Sequence, residues 1–172
     1  MSGPPSGSGF GAFGSNGFAI AYPACGTYTV DAKAQDKDGG ISAPFTSAPV
    51  TVYDGQILPP LSGGGYNLVK KGQVVPVKIT VGCNGFTSGL HPLISLRAGD
   101  YDPNVDPGDP SYTVPDTASS ADTSGVMREG DQQYLYNLAA PSNAAVGDLF
   151  TVLVRPFGGS APTLYAVLKI KK

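Results

Sequence analysis

The residues best equipped for chemistry lie together in one loop. In AGDYDPNVDPGDPSY, the side chains of Asp100, Asp102, Asn104, Asp106 and Asp109 place oxygen donors at nearly alternate positions. A hard cation such as Ca²⁺ requires oxygen donors of this kind on a tight loop, so these five are the candidate metal ligands and Ca²⁺ the one candidate cofactor. The pattern departs from the helix–loop–helix calcium loop. Val105 stands where that loop has its turn glycine, and no bidentate Glu closes it. Pro103, Pro107 and Pro110 stiffen the same stretch, and Asp, Asn, Gly and Pro are also ordinary turn formers, so a solvated acidic loop is the competing reading. Asp36 and Asp38, in DKDGG, form a smaller acidic turn.

Catalytic constellations are harder to assemble. A Ser or Cys nucleophile would need its base from His91, the single histidine, which precedes Pro92 at a loop-to-strand junction. Glycoside hydrolysis needs two carboxylates held across a sugar. The Asp residues here sit in Pro/Gly turns, without the burial that raises a general acid's pKa. GSGFGAFG has glycines but neither a strand before it nor a helix after it, so it does not cradle phosphate. An intramolecular isopeptide bond would need a buried lysine, and Lys78 alternates onto an outer face. Tyr101, Tyr112, Tyr134, Tyr136 and Tyr165 could form a sugar-stacking platform, but Tyr134 and Tyr136 share a face with Leu138 and read as core. No catalytic residue is expected, and the chain is read as a non-enzyme.

These residues must be positioned by strands. The 172 residues include 24 Gly, 16 Pro and one Glu, which starves any long helix. The 41% apolar content suffices for a core. No apolar run reaches the roughly 18 residues of a membrane span, and a net charge of −2 gives nucleic acid no basic face to bind. Period-2 alternation predicts strands over 18–22, 27–34 and 49–53. In the second half it predicts strands over 66–70, 74–81, 93–97, 111–114, 133–138, 148–155 and 163–170. Pro76 predicts an edge position or a bulge for its strand. No residue-level repeat is expected. The Gly/Pro-rich stretch 55–65 reads as a linker, and residues 1–17 as a flexible Gly/Ser-rich tail. That tail has no charged n-region and no apolar h-region, so the expectation is a mature or trimmed piece of a longer exported protein. Cys25 and Cys83 allow one disulfide, with free thiols as the alternative. Closing about 57 residues would stabilise the fold by roughly 4 kcal/mol.

Residues 22–53 resemble the last strands of a polycystic-kidney-disease (PKD) type immunoglobulin-like domain. Tyr22, Gly26, Tyr28 and Val30 match its Y-x-x-x-G-x-Y-x-V signature, followed by a turn at Asp36, Asp38, Gly39 and Gly40. Residues 58–172 resemble a bacterial secreted module with a P-x-K-F motif after V-K-x-G-x-x-V-P; here Ile79 replaces the Phe and the family's later cysteine is missing. Both resemblances imply extracellular, non-catalytic modules. The PKD likeness also implies that Cys25 and Cys83 face a common interdomain junction and bridge it.

The expectation is therefore an all-β chain of two immunoglobulin-like β-sandwich units in tandem. The first, 18–54, is incomplete with only three strands, and the second spans 66–172. The shortfall reads as truncation, as completion in trans by another chain, or as a small fold complete in itself. The expected role is a structural or adhesive module, a spacer or assembly unit at the cell surface or outside the cell. A fibre subunit completed by strand exchange and a carbohydrate-binding accessory module of a secreted hydrolase are the alternatives. Expected partners are other domains of the same protein, copies of the chain, or glycans.

Overall fold

The computed structural model describes residues 22, 24–83, 85–101, 121–157 and 164–172. All regular structure among them is β-strand, as the composition requires. The tail 1–17 and the expected strand 111–114 lie outside the described residues, as does all of the strand expected over 18–22 except Tyr22. The chain divides into two compact units, Met1–Asp54 and Gly55–Lys172.

In the first unit, β1 (Gly26–Tyr28) pairs antiparallel with β4 (Val50–Val52), and β2 (Asp31–Ala32) with β3 (Phe45–Thr46). A bridge between Gln35 and Ile41 carries the ribbon on to a turn. The strand expected over 27–34 is therefore interrupted, and Ser-Ala-Pro, occurring twice in SAPFTSAP, marks where. The Ser47 amide donates to the Val30 carbonyl at 2.8 Å, while its Oγ accepts from the Val30 amide at 2.9 Å. Ser42 treats Ala34 identically, at 2.9 Å in both directions. A serine hydroxyl thus replaces a carbonyl as ladder acceptor, just before a proline that cannot donate. This is a short local repeat, contrary to expectation. Among the described residues of this unit, Tyr28 is the one buried hydrophobic side chain, and every residue from 33 to 46 is exposed.

The second unit has two four-stranded sheets. Sheet I runs β5 (Asp54–Leu58), β7 (Val74–Gly82), β10 (Gln133–Ala139), β9 (Arg128–Gly130). Sheet II runs β6 (Tyr66–Lys70), β12 (Leu164–Lys171), β11 (Leu149–Arg155), β8 (Leu93–Ala98), with β6 parallel to β12 and the other pairs antiparallel. This is the immunoglobulin order A-B-E-D against A′-G-F-C, in which the first strand changes sheets part-way. The change occurs across the cis-bonded Pro59 and Pro60. The domain's usual buried Trp is missing, since the chain has none.

The core follows the alternation. Val75, Val77, Ile79 and Val81 of β7 are buried, as are Tyr134, Tyr136 and Leu138 of β10, Ile94 and Leu96 of β8, and Ala166, Leu168 and Ile170 of β12. Each fully buried aliphatic side chain contributes about 1.5–3 kcal/mol. On β11, Thr151, Val152, Leu153 and Val154 are all buried, so this strand is enclosed on both faces and reads as an unbroken apolar run.

Two expectations are overturned here. Residues 55–65 are not a linker: β5 joins sheet I, and Ile57 and Leu61 are buried in the unit. Gly55 suits this strand because a Cβ there would stand 3.0 Å from the Leu164 side chain, and the two prolines fall at the sheet change rather than inside a ladder. Nor does Pro76 mark an edge. β7 has neighbours on both sides, and Pro76 pairs in register with Asn137, costing the nine-residue strand a single donor.

Candidate functional site

The signature residues of the first unit meet in space. The Tyr22 and Tyr28 rings lie 4.9 Å apart, and a Cβ on Gly26 would stand 3.3 Å from the Tyr28 hydroxyl, so the ring lies close over that glycine. The Tyr28 hydroxyl donates to the Ala24 carbonyl at 2.9 Å, and Val30 is tied to Ser47 as described above. Spacing four and then two residues apart thus builds an aromatic clamp at the mouth of the ribbon. At its other end, Asp36 Oδ1 accepts from the amides of Asp38 (2.9 Å) and Gly40 (2.7 Å), and Gly39 turns the chain at φ 89°. That carboxylate closes a turn, and Asp38 pairs with exposed Lys37. Beside this turn the ribbon exposes Ile41 (64%) and Phe45 (70%).

Of the five candidate calcium ligands, Asp102, Asn104, Asp106 and Asp109 lie outside the described residues. Asp100 lies within them, and its Oδ2 accepts from the Tyr66 hydroxyl at 3.0 Å. This bond, together with the carboxylate's charge, raises the Tyr66 pKa above its ordinary value. Lys169 Nζ stands 5.3 Å from the centroid of the same ring. No cluster of three or more His, Cys, Asp or Glu suited to a metal occurs among the described residues. Cys25 and Cys83 are disulfide-bonded to each other. His91 is exposed and adopts a positive φ of 51° beside buried Pro92.

The buried hydroxyls of the second unit have structural work. Tyr134 donates to the Thr87 carbonyl at 2.8 Å and accepts from the Leu90 amide at 2.9 Å, holding the β7–β8 loop. Phe86 packs tilted against the same ring, with centroids 5.0 Å apart and the planes at 48°. Tyr136 repeats the arrangement two residues on, donating to the Asp122 carbonyl at 2.6 Å and accepting from the Gly125 amide at 3.3 Å. Asp122 also takes a two-pronged ion pair from Arg128 and accepts from the Asn137 amide at 2.6 Å. Burial pushes both tyrosine pKa values up. Thr151 Oγ1 donates to the Gly99 carbonyl at 2.8 Å and accepts from the Tyr101 amide at 2.9 Å, fixing the chain beyond β8.

One groove of the second unit escaped sequence reasoning. It has a volume of about 520 Å³ and is lined by Ile57, Pro59, Leu61, Gly63, Leu164 and Tyr165 among others, with no charged residue among the described residues of its lining. The groove brings β5 of sheet I against the start of β12 of sheet II, and only the topology could have signalled that. No protein-family model matches the chain, and no curated protein matches it.

Proposed function

We propose that this chain is a non-catalytic structural module, a spacer or assembly unit within a larger secreted or cell-surface protein. The observation that carries the proposal is the use made of polar side chains inside the second unit. Tyr134, Tyr136 and Thr151 spend their hydroxyls on backbone groups of neighbouring loops, and Asp122 ties its own loop to the β10 backbone at Asn137, which stiffens both ends of an immunoglobulin-order sandwich. Such a unit transmits geometry rather than turning over substrate. The Cys25–Cys83 disulfide suits an oxidising compartment, and no helix among the described residues is long and apolar enough to cross a membrane. The likeness of residues 22–53 to PKD-type domains and of 58–172 to the P-x-K-F module supports the same setting.

The test is a pair of assays on the full chain: a glycan array with polysaccharide pull-down, and turnover of chromogenic esters and glycosides. A spacer retains no glycan and hydrolyses nothing. Saturable glycan retention would replace the proposal with the carbohydrate-binding reading, and turnover abolished by His91→Ala would replace it with an enzymatic one.

A further inference from the structure

We propose that the open edge of sheet II, at β6, takes up an extended acidic segment of a partner protein as an added strand. The inference rests on the assembly-unit reading and names the chemistry of the partner.

The two edges of sheet II differ. At β8 the chain closes its own edge: Val126 bridges Leu93, and the Ile94 amide donates to the Gly125 carbonyl at 2.8 Å. At β6 the ladder ends on a strand that exposes Tyr66 (52%) and Leu68 (60%). Gln73 reveals which way its backbone faces. The Lys70 amide donates to Gln73 Oε1 at 2.8 Å, and the Lys70 carbonyl accepts from the Gln73 amide at 3.1 Å, so the backbone of Lys70 faces away from β12. Peptide groups alternate in direction along a strand. Those of Leu68 and Tyr66 therefore also point across the open edge, each residue with one donor and one acceptor. Such rungs are a template for another strand.

Charge decides which strand fits. Five of the chain's 11 basic residues gather here: Lys70 and Lys71 at the end of β6, and Lys169, Lys171 and Lys172 at the end of β12. The parallel register sets Lys171 beside Lys70. Val69, Leu168 and Ile170 are buried, so alternation puts Lys70, Lys169 and Lys171 together on the outer face. Like charges side by side on paired strands are destabilising. None of the five forms an ion pair among the described residues. Asp100 and Asp148 border this end, but the first accepts from Tyr66 and the second from the Ala145 amide. A second copy of β6 would bring the same lysines and no carboxylate to meet them, and lysine-rich edges guard against the pairing of identical strands. An acidic strand meets the opposite condition. Its carboxylates would lie on the outer face within reach of the lysines, and apolar residues alternating with them would continue the buried side beside Val69. The contact is short, so binding is weak and charge sets its specificity.

The experiment titrates the full chain with a short synthetic peptide in which aspartate and valine alternate, read by calorimetry and by amide hydrogen exchange. A matched peptide with asparagine in place of aspartate is the charge control. The acidic peptide should bind saturably and slow exchange at the Tyr66 and Leu68 amides. The asparagine peptide should bind at least roughly ten-fold more weakly, and so should the acidic peptide to the double variant Lys70→Glu/Lys171→Glu, whose positions are both exposed. Raising the salt from about 0.1 M to 1 M shortens the screening length from about 10 Å to 3 Å and should weaken binding in the same direction. Absence of saturable binding overturns the inference, as does binding that charge reversal leaves unchanged. Binding that leaves exchange at Tyr66 and Leu68 unaltered also overturns it, marking the lysines as a site for any polyanion. A chain that ignores the peptide and retains no glycan loses this inference and keeps the spacer reading, whereas glycan retention defeats that reading whatever the peptide does.

Discussion

Replacing Tyr136 with Phe isolates the contribution of one hydroxyl. The ring is fully buried, so Phe fills the same space and opens no cavity. What disappears is a donor 2.6 Å from the Asp122 carbonyl and an acceptor 3.3 Å from the Gly125 amide. Two backbone groups beside the core then lose their partner, at a cost of about 1–3 kcal/mol. With a urea dependence of about 2 kcal/mol per molar, the unfolding midpoint should fall by roughly 1 M at an unchanged slope. Amide exchange at Gly125 should accelerate by roughly thirty-fold if 2 kcal/mol is lost, while amides of β11 and β12 change only with global stability. Tyr66→Phe is the control, because its hydroxyl is also hydrogen-bonded, to the Asp100 carboxylate, but the side chain is 52% exposed. Its effect should stay within about 0.5 kcal/mol. Equal effects at positions 66 and 136, or unchanged Gly125 exchange in Tyr136→Phe, would refute the view that buried tyrosines pin the loops.

Three further outcomes follow from the same geometry. Alkylation of native protein without reductant should label no cysteine, and Cys83→Ser should lower stability by roughly 4 kcal/mol; two labelled thiols would contradict the bridge. Leu61→Ala should cost about 2–5 kcal/mol by thermal or urea unfolding because Leu61 is 3% exposed, whereas a residue in a true linker would cost almost nothing. The buried tyrosines should make the fold sensitive to alkali. Their pKa values are raised above the unfolded value of about 10, so their contribution is complete below that pH and is lost as the pH climbs through the folded values. Tyr136→Phe should flatten this decline in pH-dependent unfolding.

Strands with strict alternation were legible before any coordinates. Val75, Val77, Ile79 and Val81 announce β7, and β6 and β10 begin at the residues that alternation indicates. β5 was hidden because Gly and Pro nearby imitate a linker, although here the glycine makes room for Leu164 and the prolines serve the change of sheet. β9 was hidden because Arg-Glu-Gly carries no apolar residue to betray a strand that is exposed throughout. In the ribbon, a propensity reading allots ladder bonds to backbone alone and so cannot foresee Ser42 and Ser47 supplying acceptors from their side chains. Counting cysteines named Cys25–Cys83 as the one bridge possible, but left free thiols as the alternative until the structure showed the bond. The acidic loop was legible as chemistry, but the tie from Asp100 to Tyr66 spans 34 positions and leaves no local trace. The groove is equally non-local, since its walls come from both ends of the second unit.

The place of β12 between β6 and β11 sets the order in which the second unit can be completed. Among the described strands of this unit, β12 (Leu164–Lys171) is the last to be synthesised, yet it is the hydrogen-bonded neighbour of β6. During synthesis, β6 must wait about a hundred residues for its mate, with the inner surface of its sheet open to capture by chaperones. Closure of this sheet is therefore gated by β12, and a stall shortly before residue 164 would leave the second unit unsealed.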